Sequence, residues 1–323
     1  MHYIIYGAGG IGGTIGGRLH QAGLQTTLIA RGEHGRELQS KGLRLIGPEG
    51  AATLDIPTVT HPREVSFDDE AVVFLCMKSQ HTQAALDDLA IVAPAHVAVA
   101  CVQNGVANER LALRYFENVY ATVVNLPALY LTPGEVVTYA KGAGGVLDTG
   151  HYPRGIDDLS IQMTADLTAA GFSARPDPEV MRFKYAKLLM NLFNVLQAGL
   201  TDPQNMGPLR RQIRNEALAC FSAAGIECAD ADEVRERQRD IYEVVDVAGH
   251  LRTAGSTWQS IERGTGDIET DYLNGEICLL GRLHGIPTPA NDACVSLART
   301  LLQTGSGPGL MSVAQFIGTI RDA

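Results

Sequence analysis

At 323 residues, 45% hydrophobic and 19% charged, the chain is long enough for two globular domains and too apolar to be disordered. A net charge of −10 with no run of Lys or Arg argues against a nucleic acid or an anionic membrane as partner, and no apolar run reaches the ~18 residues of a membrane span. Six Cys without a Cys-x-x-Cys, nine His without metal-ligand spacing and an apolar start cut short at Gly7 predict reduced thiols, no metal site, no signal peptide and a soluble, cytoplasmic protein.

Residues 2–6 form a β-rich run, 10–22 a helix and 26–30 a second strand. The alternation continues with an apolar run at 71–77, a helix from 80 to about 89, an apolar run at 96–102 and a helix at 108–116. Such alternation is the signature of a parallel sheet covered on both faces. Residues 119–131, 136–140 and 144–147, punctuated by Pro133-Gly134 and Gly142, read as hairpins at the sheet edge. A helix at 156–170 and a strand at 172–175 close this half. Pro176-Asp177-Pro178 is the linker, because two prolines in three residues resist both helix and sheet. Beyond it, 179–200, 208–224, 230–252, 267–284 and 290–303 read as helices. The expectation is an α/β domain over 1–177 and an all-helical domain over 178–323, with the site in a cleft between them.

Gly7-Ala8-Gly9-Gly10-Ile11-Gly12 fits G-x-G-x-x-G between a strand and a helix. There Gly7 makes the tight turn, Gly9 lets a pyrophosphate approach, Gly12 lets helix pack on strand, and the helix N-terminus attracts phosphate. A ligand-free glycine turn leaves Gly13, Gly16 and Gly17 unexplained, each weakening a helix by ~1 kcal/mol relative to Ala. Arg31 stands nineteen residues after Gly12, where NAD enzymes carry an acid; an Arg there suits the 2′-phosphate of NADP. The alternative is an ordinary surface Arg, with Glu33 close by. Lys78 and Asn104 follow the third and fourth strand runs, at the edge where open α/β sheets bind ligands. Asn104-Gly105 is equally a plain turn dipeptide.

Within 179–200, Lys184, Lys187, Asn191 and Asn194 fall within roughly 80° on an otherwise apolar helix. That stripe is either a cleft-facing set for a carboxylate and a carbonyl or a structural feature. Residues 267–276 place acids, Glu269 among them, near a helix start, which the dipole favours whether or not a ligand is present. Ser256-Thr257-Trp258-Gln259 matches a capping box.

Six blocks in order resemble the ketopantoate reductase family: Gly7–Gly12; Leu28-Ile29-Ala30-Arg31; Lys78; Gln103-Asn104-Gly105; Lys187-Leu188-Leu189-Met190-Asn191; and Glu269–Gly275 with Gly285–Asn291. The resemblance implies a Rossmann-type doubly wound sheet followed by a helical domain of the 6-phosphogluconate dehydrogenase type. It implies NADPH-dependent reduction of 2-dehydropantoate in pantothenate biosynthesis, on a small anionic substrate, by a monomer or homodimer. By the resemblance Lys187 and Glu269 are catalytic, Lys187 giving a proton to the forming alkoxide and Glu269 taking the substrate hydroxyl. Asn104, Asn191, Asn194 and Thr257 bind substrate, and Gly7, Ala8, Gly9, Gly10, Ile11, Gly12, Arg31, Lys78 and Asn104 bind cofactor. Two positions depart from the pattern. The family's second Asn, four residues after the first, is Val195 here, with Asn194 one earlier, and its Ser-Met-Gln-Asp reads Thr257-Trp258-Gln259-Ser260. The alternatives are another 2-oxo acid or ketone as substrate, or a dinucleotide-binding sensor without turnover.

Overall fold

The computed structural model describes residues 1–247, 249–250, 255–262, 268–305 and 307–321. They form two compact units, Met1–Lys184 with Ala231–Arg252, and Tyr185–Asp230 with Thr253–Ala323. In chain order the strands are β1 (His2–Tyr6), β2 (Gln25–Ile29), β3 (Leu43–Gly47), β4 (Gly50–Leu54), β5 (Thr58–Val59), β6 (Ala71–Leu75) and β7 (Ala98–Cys101). There follow β8 (Val119–Thr122), β9 (Ala128–Leu129), β10 (Glu135–Thr138), β11 (Ala140–Gly142), β12 (Thr149–His151) and β13 (Tyr242–Val244). The helices are α1 (Gly10–Gln21), α2 (Gly32–Lys41), α3 (Thr82–Ala90), α4 (Asn108–Ala112), α5 (Asp158–Ala169), α6 (Val180–Asn191) and α7 (Asn194–Gly199). After them come α8 (Gly207–Ala224), α9 (Ala231–Gln238), α10 (Ser256–Glu262), α11 (Asn274–His284), α12 (Pro289–Thr304) and α13 (Val313–Arg321). The chain passes from the first unit to the second inside α6. No helix among the described residues is long and apolar enough to cross a membrane.

The first unit is a doubly wound sheet of order β12-β8-β7-β6-β1-β2-β5. Every pairing in it is parallel except β8 with β12. Strands β1, β6 and β7 are buried along their whole length, as a sheet covered on both faces requires. A second sheet, β4-β3-β10-β9, lies on the far side of α1. A Cβ at Gly16 would come within 2.7 Å of Leu28 on β2, and one at Gly13 within 2.8 Å of Val136 on β10. The glycines that weaken α1 as a helix thus let it fit between two sheets.

Several elements differ from the sequence reading. Residues 136–140 do not extend the edge of the main sheet, because β10 pairs parallel with β3 and antiparallel with β9 in the second sheet. The β3–β4 hairpin has no legible period, since β4 is Gly-Ala-Ala-Thr-Leu with no buried residue. Residues 230–252 are not one helix. None of the α9 side chains is buried, and the β-branched run after Asp240 becomes β13, paired with β11. Arg237 fixes this segment to the first unit through two bonds to the Asp148 carboxylate, 2.6 and 2.5 Å. Of residues 172–175 only Ser173 makes a bridge, with Val146, so they form no strand. Residues 179–200 break at Leu192-Phe193 into α6 and α7.

The second unit is helical. Helices α8, α11 and α12 pack together, with Ile213, Ala217, Ile277, Cys294 and Leu297 buried on them, and α10 packs on α7. Gly285, at φ +70°, closes α11, and Pro289 opens α12 at a position that needs no N–H, which accounts physically for the Gly285–Pro289 block. Residues 269–272 form a 3-10 turn before α11 rather than its first turn. Asp267 and the side chains of Ser256 and Gln259, hence the capping-box reading, lie outside the described residues.

Candidate active site

In the first unit four neighbouring strands end level. Tyr6 is opposite Ile29 and Leu75, and Leu75 is opposite Cys101. The Gly7–Gly12 loop, Arg31, Lys78 and Asn104 therefore leave one edge of the sheet within three residues of their strands. Strand β1 feeds β2 on one side and lies against β6 on the other, the topological switch where such sheets take ligands.

Gly7 has φ +101°, a conformation L side chains avoid, and a Cβ there would lie 2.8 Å from the Met77 amide nitrogen. At Gly12 a Cβ would strike the Gly7 carbonyl oxygen and the Ile5 and Cys76 side chains. Gly9 differs: its φ is −71°, and a Cβ would meet only the edge of the Tyr130 ring at 3.8 Å. Among the described residues no packing demands glycine at 9, whereas the close approach of an outside group would. The first turn of α1 holds no acid and no side-chain cap, so its N–H groups and dipole suit an anion. These features fit a dinucleotide pyrophosphate. Arg31 is exposed at the N-cap of α2 and, among the described residues, makes no ion pair.

Lys78 caps the 3-10 turn Ser79–His81. A buried network that the sequence reading missed joins it to Asn104. The Gln103 amide donates to the Met77 carbonyl and to Thr82 Oγ1, both at 2.8 Å. Thr82 Oγ1 donates to Asn108 Oδ1 (2.9 Å), and Asn108 Nδ2 donates to Ser79 Oγ (3.1 Å) and the Asn104 carbonyl (3.2 Å). The signal for it was the density of short polar residues in both loops after strands that are wholly apolar.

Beneath the Asn104 loop lies Lys184. It is not part of a ligand-facing stripe: its Nζ pairs with Glu109 and donates to the Gln103 carbonyl at 3.0 Å. The two side chains are 3% and 0% exposed, so removing one leaves a buried charge uncompensated. Lys184→Met is expected to destabilise the protein by about 3–5 kcal/mol, and a Lys184→Met/Glu109→Leu double variant to recover most of that loss. Urea unfolding checks this; a single-variant loss below about 1 kcal/mol, the worth of a surface pair, contradicts it.

In the second unit Lys187 and Asn191 are one turn apart on α6 and share a face. Burial pulls the Lys187 ammonium down to about 8. Asn191 is buried, and among the described residues its Nδ2 has no hydrogen-bond partner. Asn194 lies past the helix break, so counting 100° per residue from Lys187 does not place it. Asn274 Nδ2 donates to the Leu192 carbonyl (3.2 Å) at that break and to Asn291 Oδ1 (3.1 Å). Asn291 donates in turn to Glu216 Oε2 (2.8 Å). This chain ties the end of α6 to the turn that carries Glu269. Val195 is buried in the core, while Asn194 is half-buried, its Oδ1 3.5 Å from where a Gly255 Cβ would lie. Thr257, on α10, and Glu269 are both buried. Sequence reasoning found Asn274 and Asn291 only as members of matching blocks; their positioning role needed the fold.

A family model described as "Ketopantoate reductase PanE/ApbA" matches residues 3–152, and "Ketopantoate reductase PanE/ApbA C terminal" matches 179–302. A 2-dehydropantoate 2-reductase of Archaeoglobus fulgidus is 26% identical over 304 residues, 91% of this chain and 96% of that protein. The crystal structure of a PanE/ApbA family ketopantoate reductase from Ralstonia eutropha JMP134 matches with TM-score 0.78 at 27% identity, over 94% of this chain and 99% of that one. The ternary structure of D-mandelate dehydrogenase with NADH and anilino(oxo)acetate matches in fold with the same TM-score at 21% identity, covering 94% and 99%.

Proposed function

The chain belongs to the ketopantoate reductase family and is a dinucleotide-binding oxidoreductase acting on CH–OH, and we propose that it reduces the ketone of 2-dehydropantoate with NADPH. The observation that carries this reading is on α6: a desolvated ammonium, Lys187, one turn from a buried amide donor, Asn191 Nδ2, that no group among the described residues satisfies. Buried donors are rarely left so unless a ligand completes them.

A dinucleotide held by the first unit would supply a hydride to the carbonyl carbon. Lys187 Nζ–H donates to the carbonyl oxygen, stabilises the charge that grows there and passes its proton to it, so that ketone plus hydride plus proton gives the alcohol. Asn191 Nδ2 donates to a substrate oxygen. Thr257 Oγ1 donates to the carboxylate, with Asn194 as the nearby amide, and Glu269 accepts from the substrate hydroxyl. Gly7–Gly12 holds the pyrophosphate, Arg31 the 2′-phosphate, and Lys78 and Asn104 the nicotinamide end. Oxidation of NADPH against a panel of 2-oxo acids tests the assignment: 2-dehydropantoate is expected to give the highest kcat/KM, and turnover with none of the panel overturns it.

Val195 favours a second reading. With an apolar core residue where the family carries its second Asn, the substrate end is altered and another 2-oxo acid becomes the alternative. Phenylglyoxylate serves as the bulky, hydroxyl-free member of the panel.

Arg31 also sets an expectation for the cofactor. NADPH is expected to bind at least about tenfold more tightly than NADH, and Arg31→Asp to narrow that gap. Equal wild-type affinities in a fluorescence titration contradict the role of Arg31.

A further inference from the structure

His34 is buried on the first turn of α2, three residues after Arg31. Its Nδ1 accepts from the backbone N–H of Gly134 at 2.9 Å, and its Nε2 lies 2.8 Å from the Ala8 carbonyl oxygen. An amide N–H only donates and a carbonyl oxygen only accepts. Both bonds therefore require one species, the neutral imidazole with its proton on Nε2. Burial also disfavours the imidazolium. The Tyr130 ring packs on the imidazole, centroids 4.5 Å apart, and its Cδ1 lies 3.8 Å from where a Gly9 Cβ would be. Gly134 follows Pro133 in the turn entering β10, at φ +83°, and its carbonyl accepts from Arg44 of β3. One imidazole thus joins the glycine loop, the helix capped by Arg31 and the second sheet.

The bond to Ala8 matters because the peptide is planar and trans, so the Ala8 C=O and the Gly9 N–H point in opposite directions. The Ala8 oxygen points to His34 and into α1, where a Cβ at Gly13 would lie 2.9 Å from it. The Gly9 N–H is therefore turned away from both helices.

We propose that His34 is a positioning residue for the dinucleotide: by holding the Ala8 carbonyl it aims the Gly9 N–H at the pyrophosphate and couples the loop to the helix that presents Arg31. This rests on the dinucleotide-binding reading above. Without His34, the Ala8 oxygen loses its donor and the Gly134 N–H its acceptor.

The test is a fluorescence titration of wild type, His34→Phe and His34→Gln with NADPH, alongside steady-state kinetics. Phe keeps the contact with Tyr130 and loses both bonds; the Gln amide restores a donor and an acceptor. The expected result for His34→Phe is a Kd and cofactor KM raised about ten- to a hundredfold, with kcat at saturating NADPH retained. His34→Gln is expected to recover most of that loss. An unchanged Kd in His34→Phe, or a fall in kcat with no change in cofactor KM, overturns the proposal. Wild-type NMR tests it without a variant: the imidazole must be the Nε2–H tautomer, and the Gly9 amide must shift on adding NADPH. The Nδ1–H tautomer, or an unmoved Gly9 amide in protein that binds NADPH, overturns it. Wild type that binds no NADPH or NADH overturns the dinucleotide reading itself, a result distinct from all of these.

Discussion

Lys187→Ala is expected to lower kcat by about 10²–10⁴, the span for loss of a positioned general acid. Hydride arriving at a ketone carbon leaves negative charge on oxygen, and among the groups assigned to substrate only Lys187 is cationic. Its pKa of about 8 leaves it protonated at neutral pH yet ready to release the proton. The sign follows: reduction needs the ammonium, so kcat falls as pH rises through about 8, while oxidation of the alcohol needs the free amine and gains over the same range. Lys187→Arg should abolish this inflection, because a guanidinium stays charged. NADPH affinity should change little in Lys187→Ala, since the residues assigned to the cofactor are all in the first unit. A variant with near-wild-type kcat, or a wild-type profile flat across pH 8, removes Lys187 from the chemistry.

The second large effect concerns the substrate hydroxyl. 2-Dehydropantoate carries a carboxylate, a ketone and a hydroxyl, and 2-oxoisovalerate lacks only the hydroxymethyl group. Glu269 is buried, and a hydrogen bond from a substrate hydroxyl to a carboxylate is worth more than a buried methylene. A site built to bond a hydroxyl discriminates against an analogue lacking it by about 10⁴-fold or more in kcat/KM. Glu269→Ala should erase most of that difference by losing the better substrate rather than gaining the poorer one. Equal kcat/KM for the two substrates in wild type means Glu269 reads no hydroxyl, and the reading that Val195 favours takes its place.

The shared sheet edge of Gly7–Gly12, Arg31, Lys78 and Asn104 was legible because its signals are local. A glycine string after an apolar strand, then single residues at the ends of later strands, need only the rule that parallel strands end on one edge. The second sheet was not legible, because β4 has no hydrophobic period and α2 is almost wholly polar. Treating 179–200 as one helix placed Asn194 on the face of Lys187, and spacing within α6 grouped Lys184 with them although its partner lies elsewhere. Lys184 instead neutralises Glu109, distant in sequence, and Asn194 follows a break held by Asn274, more than eighty residues later. No helical period encodes a partner of that kind. The same holds for His34, whose two bonds reach back to Ala8 and forward to Gly134.

The most direct measurement is product analysis of the purified protein with 2-dehydropantoate and NADPH. Pantoate is expected to form mole for mole with NADPH consumed, and Lys187→Ala to form almost none under the same conditions. NADPH left unconsumed with 2-dehydropantoate, while another 2-oxo acid is reduced, would contradict that expectation.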